Sequence, residues 1–422
     1  VKKVVLSLLL VACFIAVHGQ VKRVLFLGNS YTYANDLPGL IEELAISAGD
    51  TLYTDSNTPG GYTLGYSPIQ HLTNSISLGK IRSGNWDYVV LQEQSQIPAI
   101  PVLRDSCMLP AAISLYDSVK LYNPCAEVLF YLTWGRRFGG TQCFVPNYCS
   151  TGFTDFGQMQ DSLTRSYLLV AEAINQPVAP VGEAWRLVIN NTPMVLHGSD
   201  NSHPSLNGSY LSACVFYACI LKKPSFGLAY TAGLQYDSAA ILQKAADSIA
   251  FSNPGLYNLW ENEVISEFSY QLNNELLSTE NRSRNSTSCL WDFGDGSYSY
   301  EFEPSHTYSQ SGIYSLKLKA CNDCECDSSS KEINVNITTS PSITIEHGVI
   351  NLSGPDNSDH VYFNGFSGHG FLWIYNLHGK RIINLPVTNG SATLHALPRS
   401  IYIWELISYN KIISRGKILI IE

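Results

Sequence analysis

Arg23-Val24-Leu25-Phe26-Leu27-Gly28-Asn29-Ser30-Tyr31-Thr32 decides how the chain is read. Val24 to Leu27 is a run of four apolar residues, the mark of a strand buried on both faces of a parallel sheet. Gly28-Asn29 breaks the run, and Leu37 to Ala45 has the spacing of an amphipathic helix. Ser30 therefore stands at the carboxyl end of a first strand, where open α/β sheets bind ligands. A serine there also suits a helix cap, so this stretch alone leaves nucleophile and capping residue open.

Working outward, Trp86–Leu91, Ala126–Leu132 and Val178–Gly182 read as further strands. Helical patterns lie near Ile69–Leu78 and over Asp105–Tyr122 and Thr164–Asn175. The alternation predicts an α/β domain, a parallel sheet with helices on both faces. Its strand ends bring Ser30, Gln92-Glu93-Gln94-Ser95-Gln96, Trp134-Gly135-Arg136 and Glu183 to one rim. Asn57–Leu64 is a glycine-rich turn containing Gly60-Gly61. Far downstream, Asp200-Asn201-Ser202-His203-Pro204 precedes the apolar run Leu211–Leu221. An Asp three residues before a His, on a loop held by Pro204, lets a carboxylate face an imidazole. That is the base-and-orienter half of a hydrolase triad.

A strand-end Gly28-Asn29-Ser30 followed by Asp200-x-x-His203-Pro204 resembles the SGNH (GDSL-type) hydrolase family over about Val21 to Leu228. The resemblance implies a flavodoxin-like sheet with Ser30 as nucleophile, His203 as base and Asp200 as its orienter. Asn29 stands where the usual first block has Asp. The family's oxyanion hole implies three donors: the Ser30 N–H, a second-block glycine N–H from Gly60 or Gly61, and a third-block Asn side chain. This chain departs from the last, because no Gly-x-Asn-Asp follows the Leu91 strand. A Gln amide donates the same bond; counting from the strand points to Gln94, with Gln96 as the alternate. Asn29, Trp134, Arg136 and Glu183 are expected substrate contacts, Trp134 stacking on a sugar face and Arg136 meeting an anion. The alternative for the last three is a structural aromatic and a surface ion pair. Neither a metal nor an organic cofactor is implied. The expected activity is that of a serine esterase on carboxylic esters, with O-acetyl groups on glycans as the substrate class. A lipase or lysophospholipase, or a non-catalytic surface binding protein, is the alternative.

At 422 residues the chain exceeds one ordinary core, so two or three domains are expected. A net charge of −9 supplies no basic field for nucleic acid or anionic lipid. Val1–Gly19 has the form of a signal peptide: Lys2-Lys3, then an apolar run to Val17, with cleavage expected before Gln20. Leu10-Val11-Ala12-Cys13 offers a lipoprotein box as the rival reading. Nothing later is long and apolar enough for a membrane helix. Eleven cysteines less Cys13 leave ten in an exported chain. Cys143 and Cys149 bracket a short loop. Cys214 and Cys219, five apart on a helix, read as core cysteines. Cys289, Cys321, Cys324 and Cys326 invite a zinc reading but lack a second pair with ligand spacing, so disulfides are expected.

After the hydrolase domain (20–252) and a linker (253–266), Trp291-Asp292-Phe293-Gly294-Asp295-Gly296 and Gly312-Ile313-Tyr314-Ser315-Leu316 carry a strand, an Asp-Gly turn and a period-two strand. They resemble a PKD domain, an immunoglobulin-like sandwich, placed at 267–338, in which His306 is structural. Gly370–Arg381, Leu397–Glu405 and Ser414–Ile420 resemble a type IX secretion C-terminal sorting domain, placed at 339–422, with Ser400 where that family has Gly. The PKD resemblance implies a spacer or a carbohydrate- or protein-contacting module; the signal peptide and the sorting-domain resemblance imply secretion or attachment at the outer cell surface, with the type IX machinery as a partner.

Overall fold

The computed structural model describes residues 21–337 and, beyond them, 343–345, 349–352, 358–363, 366, 368–395, 397–398, 400–409 and 411–420. The expected signal peptide lies outside the described residues. Among the described residues no helix is long and apolar enough to cross a membrane. The chain divides into two compact units. The first runs to Ile265 and includes Arg284–Thr287 and Cys321–Cys326; the second holds the remainder.

The first unit is built on a five-stranded parallel sheet: β1 (Val21–Leu27), β2 (Thr51–Asn57), β3 (Tyr88–Leu91), β4 (Glu127–Tyr131) and β7 (Val178–Ala179), in the order β2-β1-β3-β4-β7. This is a doubly wound order: the α/β alternation predicts the parallel sheet, and the resemblance implies its flavodoxin-like form. The order reverses between β1 and β3, so the crevice beyond their carboxyl ends is the topological switch point. Val24, Leu25, Phe26 and Leu27 are fully buried, which is why the apolar run has no alternation.

The helices are α1 (Ser30–Tyr33), α2 (Leu37–Ser47), α3 (Ser75–Ser83), the short α4 (Pro101–Leu103), α5 (Leu109–Tyr122), α6 (Phe156–Glu172), α7 (Val181–Asn191), α8 (Leu206–Leu221) and α9 (Tyr236–Ser252). Side-chain caps set several starts: Asn74 accepts from Ile76 and Ser77, Asp155 from Gln158, and Ser205 from Gly208. The Asp155 cap explains why α6 begins eight residues before the expected Thr164. Residues Gly208 to Leu221 of α8 are all buried. Free Cys214 and Cys219 lie among them, in the core as expected.

Some elements of the first unit were not foreseen. α7 begins at Val181, inside the strand expected over Val178–Gly182, which ends at Ala179. β2 is partly exposed along its length, so it lacks an apolar run. After β4 the chain makes an antiparallel hairpin, β5 (Gly140–Val145) and β6 (Tyr148–Phe153), closed by the Cys143–Cys149 disulfide. The expected linker is corrected as well. Tyr257 and Leu259 belong to the first unit's core, and the Trp260 indole donates to the Cys219 carbonyl at 3.0 Å. Within the same unit Cys125 is bonded to Cys324, and the Val264 N–H donates to the Glu325 carboxylate at 2.7 Å.

The second unit is all β. β8 (Phe268–Asn273), β9 (Leu276–Asn281) and β12 (Ser305–Thr307) form one sheet; β10 (Ser288–Asp292), β11 (Tyr298–Ser299), β13 (Gly312–Cys321) and β14 (Cys326–Val335) form the other. Trp291, Leu316, Leu318 and Phe268 fill a shared core. His306 stacks on Phe293 and bonds Asp295 at 2.8 Å, a structural position. Cys321 and Cys326, at the ends of β13 and β14 that belong to the first unit, are disulfide-bonded. Further along are β15 (Ile343–Ile345), β16 (Val349–Leu352), β17 (Ser358–Phe363), β18 (Gly370–Tyr375), β19 (Arg381–Val387), β20 (Ser391–His395), β21 (Ile401–Ser408) and β22 (Lys411–Ile420). They form sheets β15-β17-β20 and β16-β22-β21-β18-β19 around Leu372, Ile374, Trp404 and Leu406.

Phe26 is fully buried and meets Phe216 of α8 edge-on at 5.5 Å. Phe26→Ala leaves a cavity between sheet and helix and should cost about 3–5 kcal/mol. Differential scanning calorimetry of the full chain should show the transition of the first unit lowered and the β transitions unmoved.

Candidate active site

Ser30 is the first residue of α1, directly after the β1 turn. Asn29 caps that turn: its side-chain oxygen accepts from the Tyr31 N–H at 3.2 Å and its amide donates to the Tyr62 carbonyl at 2.8 Å. Gly28 is required by close approach, since a Cβ there would lie 2.5 Å from Thr32 Oγ1 and 2.7 Å from Gln92 Oε1.

His203 arrives on the loop between α7 and α8. Its Nε2 lies 2.8 Å from Ser30 Oγ, and its Nδ1 lies 2.5 Å from Asp200 Oδ2. The other Asp200 oxygen accepts from the backbone N–H groups of Ser202 and His203 at 3.0 and 2.9 Å. Partial burial pushes the Asp200 carboxyl up. The hydrogen bonds from the His203 ring and those two N–H groups outweigh it and hold the group at about 2. Asp200 is thus an ionised acceptor that fixes the proton of His203 on Nδ1 and leaves Nε2 facing the serine.

The loop carrying this pair is clamped. The Gly198 N–H donates to the His203 carbonyl at 2.7 Å, His197 bonds the Gly135 carbonyl at 2.9 Å, and Arg137 N–H donates to the Asn201 carbonyl at 3.1 Å. The Trp134 indole donates to the Ser202 carbonyl at 2.9 Å, and Tyr31 and Ser202 hydroxyls meet at 2.7 Å.

A cavity of about 400 Å³ opens over the Ser30–His203 pair, lined by Asn29, Tyr31, Gly61, Gln94, Ser95, Arg136, Asp200 and Ser202 besides the pair itself. The lining separates the candidates for the oxyanion hole. Gly61 borders the cavity, with φ at +72°, a conformation that demands glycine, whereas Gly60 does not border it. Gln94 borders it. Gln96 is turned away, its amide donating to the Cys143 carbonyl of the hairpin at 3.0 Å, and its N–H donates to Gln94 Oε1 at 2.8 Å.

The expected substrate contacts fare unequally. Trp134 is fully buried between Tyr31, at 4.7 Å, and Trp185, at 3.9 Å, both face to face. It has no face left for a sugar, so that expectation is corrected: Trp134 positions the His203 loop. Glu183 is also removed from the cavity, bonded to Thr164 Oγ1 and paired with Arg186 at 3.2 Å. Asn29 borders the cavity but spends its side chain on the β1 turn. Arg136 borders the cavity.

Sequence reasoning missed three buried groups that join the strand ends. Gln92 Oε1 accepts from the Asn29 N–H and Thr32 Oγ1, and its amide donates to Asn29 Oδ1. Glu93 Oε1 accepts from the Leu64 and Gln94 N–H groups at 3.0 and 2.6 Å, so it joins the glycine turn to the Gln94 loop. Burial pushes its carboxyl up to about 8 against the pull of those two donors. His71 bonds the Gly28 carbonyl and Ser77, and burial lowers it to about 4. The polar run after Leu91 signalled a site loop, but not which of its members face inward.

Residues 269–337 match the family model described as "PKD domain". No curated protein matches the chain by sequence. Among solved structures, a DUF4886 family protein from Bacteroides uniformis is 17% identical, with a TM-score of 0.46, over 55% of this chain and 96% of its own. A protein proposed to be an SGNH hydrolase, from Slackia heliotrinireducens, is 25% identical, with a TM-score of 0.38, over 47% and 98%. A catalytic mutant of Axe2, an acetylxylan esterase from Geobacillus stearothermophilus, is 15% identical, with a TM-score of 0.32, over 47% and 93%.

Proposed function

We propose that the protein is a serine ester hydrolase of SGNH type. The observation that carries the reading is the unbroken line Ser30 Oγ, His203 Nε2, His203 Nδ1, Asp200 Oδ2 at the mouth of the β1–β3 crevice. On this reading Ser30 attacks an ester carbonyl as His203 takes its proton. The ionised Asp200 stabilises the imidazolium, which then returns the proton to the leaving alcohol. Water hydrolyses the acyl-enzyme with His203 again as base. The Ser30 and Gly61 N–H groups and the Gln94 amide are the donors for the oxyanion. The cavity is within the range of a small-molecule site, and an acyl group as short as acetyl on a glycan is the substrate class we favour.

Export belongs to the same reading. It is supported by the disulfides Cys143–Cys149 and Cys321–Cys326, because such bridges persist in oxidising compartments. The C-terminal sorting domain rests on its sequence alone.

Ser30→Ala should lower kcat on nitrophenyl acetate by about 10⁴–10⁶-fold, and Asp200→Asn by about 10⁴-fold through loss of the correct tautomer. Retention of hydrolysis by the Ser30 variant would overturn the esterase reading.

Gln94→Ala should lower kcat by about 10²–10³-fold with little change in KM, because its bond strengthens only as charge develops. Gln96→Ala, facing the hairpin, should change kcat by only a few-fold. Steady-state kinetics of the two variants separate the assignments.

Glu93 supplies a pH signature. Its folded-state value lies above that of an ordinary carboxyl, so the fold favours the protonated form. The stability it contributes is complete below about 4.5 and is lost as pH rises towards about 8. Glu93→Gln keeps the acceptor oxygen and cannot ionise. Thermal melts across that range should show wild type losing stability relative to the variant as pH rises, with acyl hydrolysis preserved.

A further inference from the structure

Arg136 follows β4 and borders the Ser30 cavity. Its guanidinium is held from three sides by neutral groups. Nε donates to Gln142 Oε1 of β5 at 3.4 Å, one terminal nitrogen to the Tyr31 hydroxyl at 3.2 Å, and the other to Ser95 Oγ at 3.2 Å. Those bonds use three of the five N–H groups. Arg104, Arg186 and Arg282 each pair with a carboxylate. Among the described residues, no carboxylate lies within ion-pairing distance of Arg136.

Asp200, the carboxylate that borders the same cavity, is committed to His203 and two backbone donors. Glu93, behind the Gln94 loop, is held largely protonated at neutral pH by burial. Arg136 is therefore the one permanent cation among the described residues lining the cavity, in a chain whose net charge is −9. A guanidinium fixed by neutral acceptors keeps its charge unneutralised and its geometry set, the arrangement that receives a carboxylate at low ordering cost.

We propose that Arg136 is a specificity-determining residue that binds an anionic group of the substrate, so that the ester cleaved at Ser30 carries a carboxylate near its reacting carbonyl. This rests on the esterase reading and narrows it. The carboxylate belongs either to the alcohol half, as in an O-acetylated uronic acid, or to the acyl half, as in the half-ester of a dicarboxylic acid.

Two matched pairs test it with the full chain. For the alcohol half, acetate release is measured from an O-acetylated methyl glucuronoside with its carboxylate free, and from the same glycoside with that carboxylate methyl-esterified. For the acyl half, nitrophenol release is measured from mono-nitrophenyl adipate and from nitrophenyl hexanoate. The free carboxylate should raise kcat/KM in one pair by about 10–100-fold, the range of a charge-assisted bond. Salt should erode that preference. Arg136→Gln should lower kcat/KM for the charged member by about 10–100-fold more than for the neutral member, and Arg136→Lys should retain part of the preference. An equal loss on charged and neutral esters in Arg136→Gln would make the residue a brace for Tyr31 and Ser95 and overturn the inference. So would the absence of any preference in wild type while the neutral esters are still hydrolysed, and the esterase reading would then stand. Failure of wild type on every ester would overturn both.

Discussion

One stack of aromatic rings holds the site together. Tyr31 comes from the turn after β1, Trp134 from the end of β4 and Trp185 from α7, and the three lie face to face. All three are buried. Large rings in such contact dominate the local packing and leave little room for rearrangement. Two of them also carry a polar handle, and both handles grip Ser202: the Trp134 indole its carbonyl, the Tyr31 hydroxyl its side chain. Ser202 immediately precedes His203. The position of His203 relative to Ser30 is thus set by the packing of the core together with the loop's own hydrogen bonds. This also accounts for the exposure of the His203 and Asp200 side chains, at 45% and 49%, without loss of geometry. The loop is fixed from beneath, and its outer face stays open to solvent.

The legible parts of the chain are those where one physical cause dominates. Val24–Leu27 could be read because both faces of β1 are buried, so burial leaves an uninterrupted apolar run. Asp200 and His203 could be read because a three-residue spacing within a turn forces their contact. β2 could not: its residues are mostly half-exposed, and Thr51-Leu52-Tyr53-Thr54-Asp55-Ser56-Asn57 has neither a run nor a clean alternation. The β5–β6 hairpin was hidden for a similar reason, since its closure comes from a disulfide and irregular pairing more than from an apolar face. Trp134 stays open between a sugar-stacking residue and a structural aromatic, because an aromatic at a strand end looks the same in sequence whether it faces a cavity or a core. Only the neighbours Tyr31 and Trp185, contributed by distant segments, decide the matter.

The departure after Leu91 has a physical counterpart. Gln92 and Glu93 are fully buried at the end of β3. Gln92 ties β3 to the Asn29 turn, and Glu93 ties it to the glycine turn at Leu64. Together they bind into one piece the three loops that surround Ser30. Burying a carboxyl group is costly unless its oxygens are satisfied or it is neutral. Glu93 meets that cost in part: Oε1 takes two backbone donors, Oε2 is buried without a hydrogen-bond partner among the described residues, and burial raises the carboxyl to about 8. The residues that replace the expected Asn block therefore do two separate jobs: the first two build the crevice, and Gln94 borders it.

The hairpin after β4 extends the same logic to the outer wall of the cavity. Gln96 bonds the Cys143 carbonyl, Gln142 bonds Arg136, and Phe144 packs edge-on against Tyr66 beside the glycine turn. The Cys143–Cys149 bridge closes a loop too short to hold a core of its own, so its order derives from that covalent tie and from these contacts. The two sides of the cavity meet at the Tyr31 hydroxyl, which bonds both Ser202 and Arg136. The Ser30–His203–Asp200 line rests on the buried aromatic stack, whereas Arg136 is oriented partly by an inserted hairpin outside the parallel sheet. A change in the hairpin that moves Arg136 therefore reaches the Ser202–His203 loop through the Tyr31 hydroxyl.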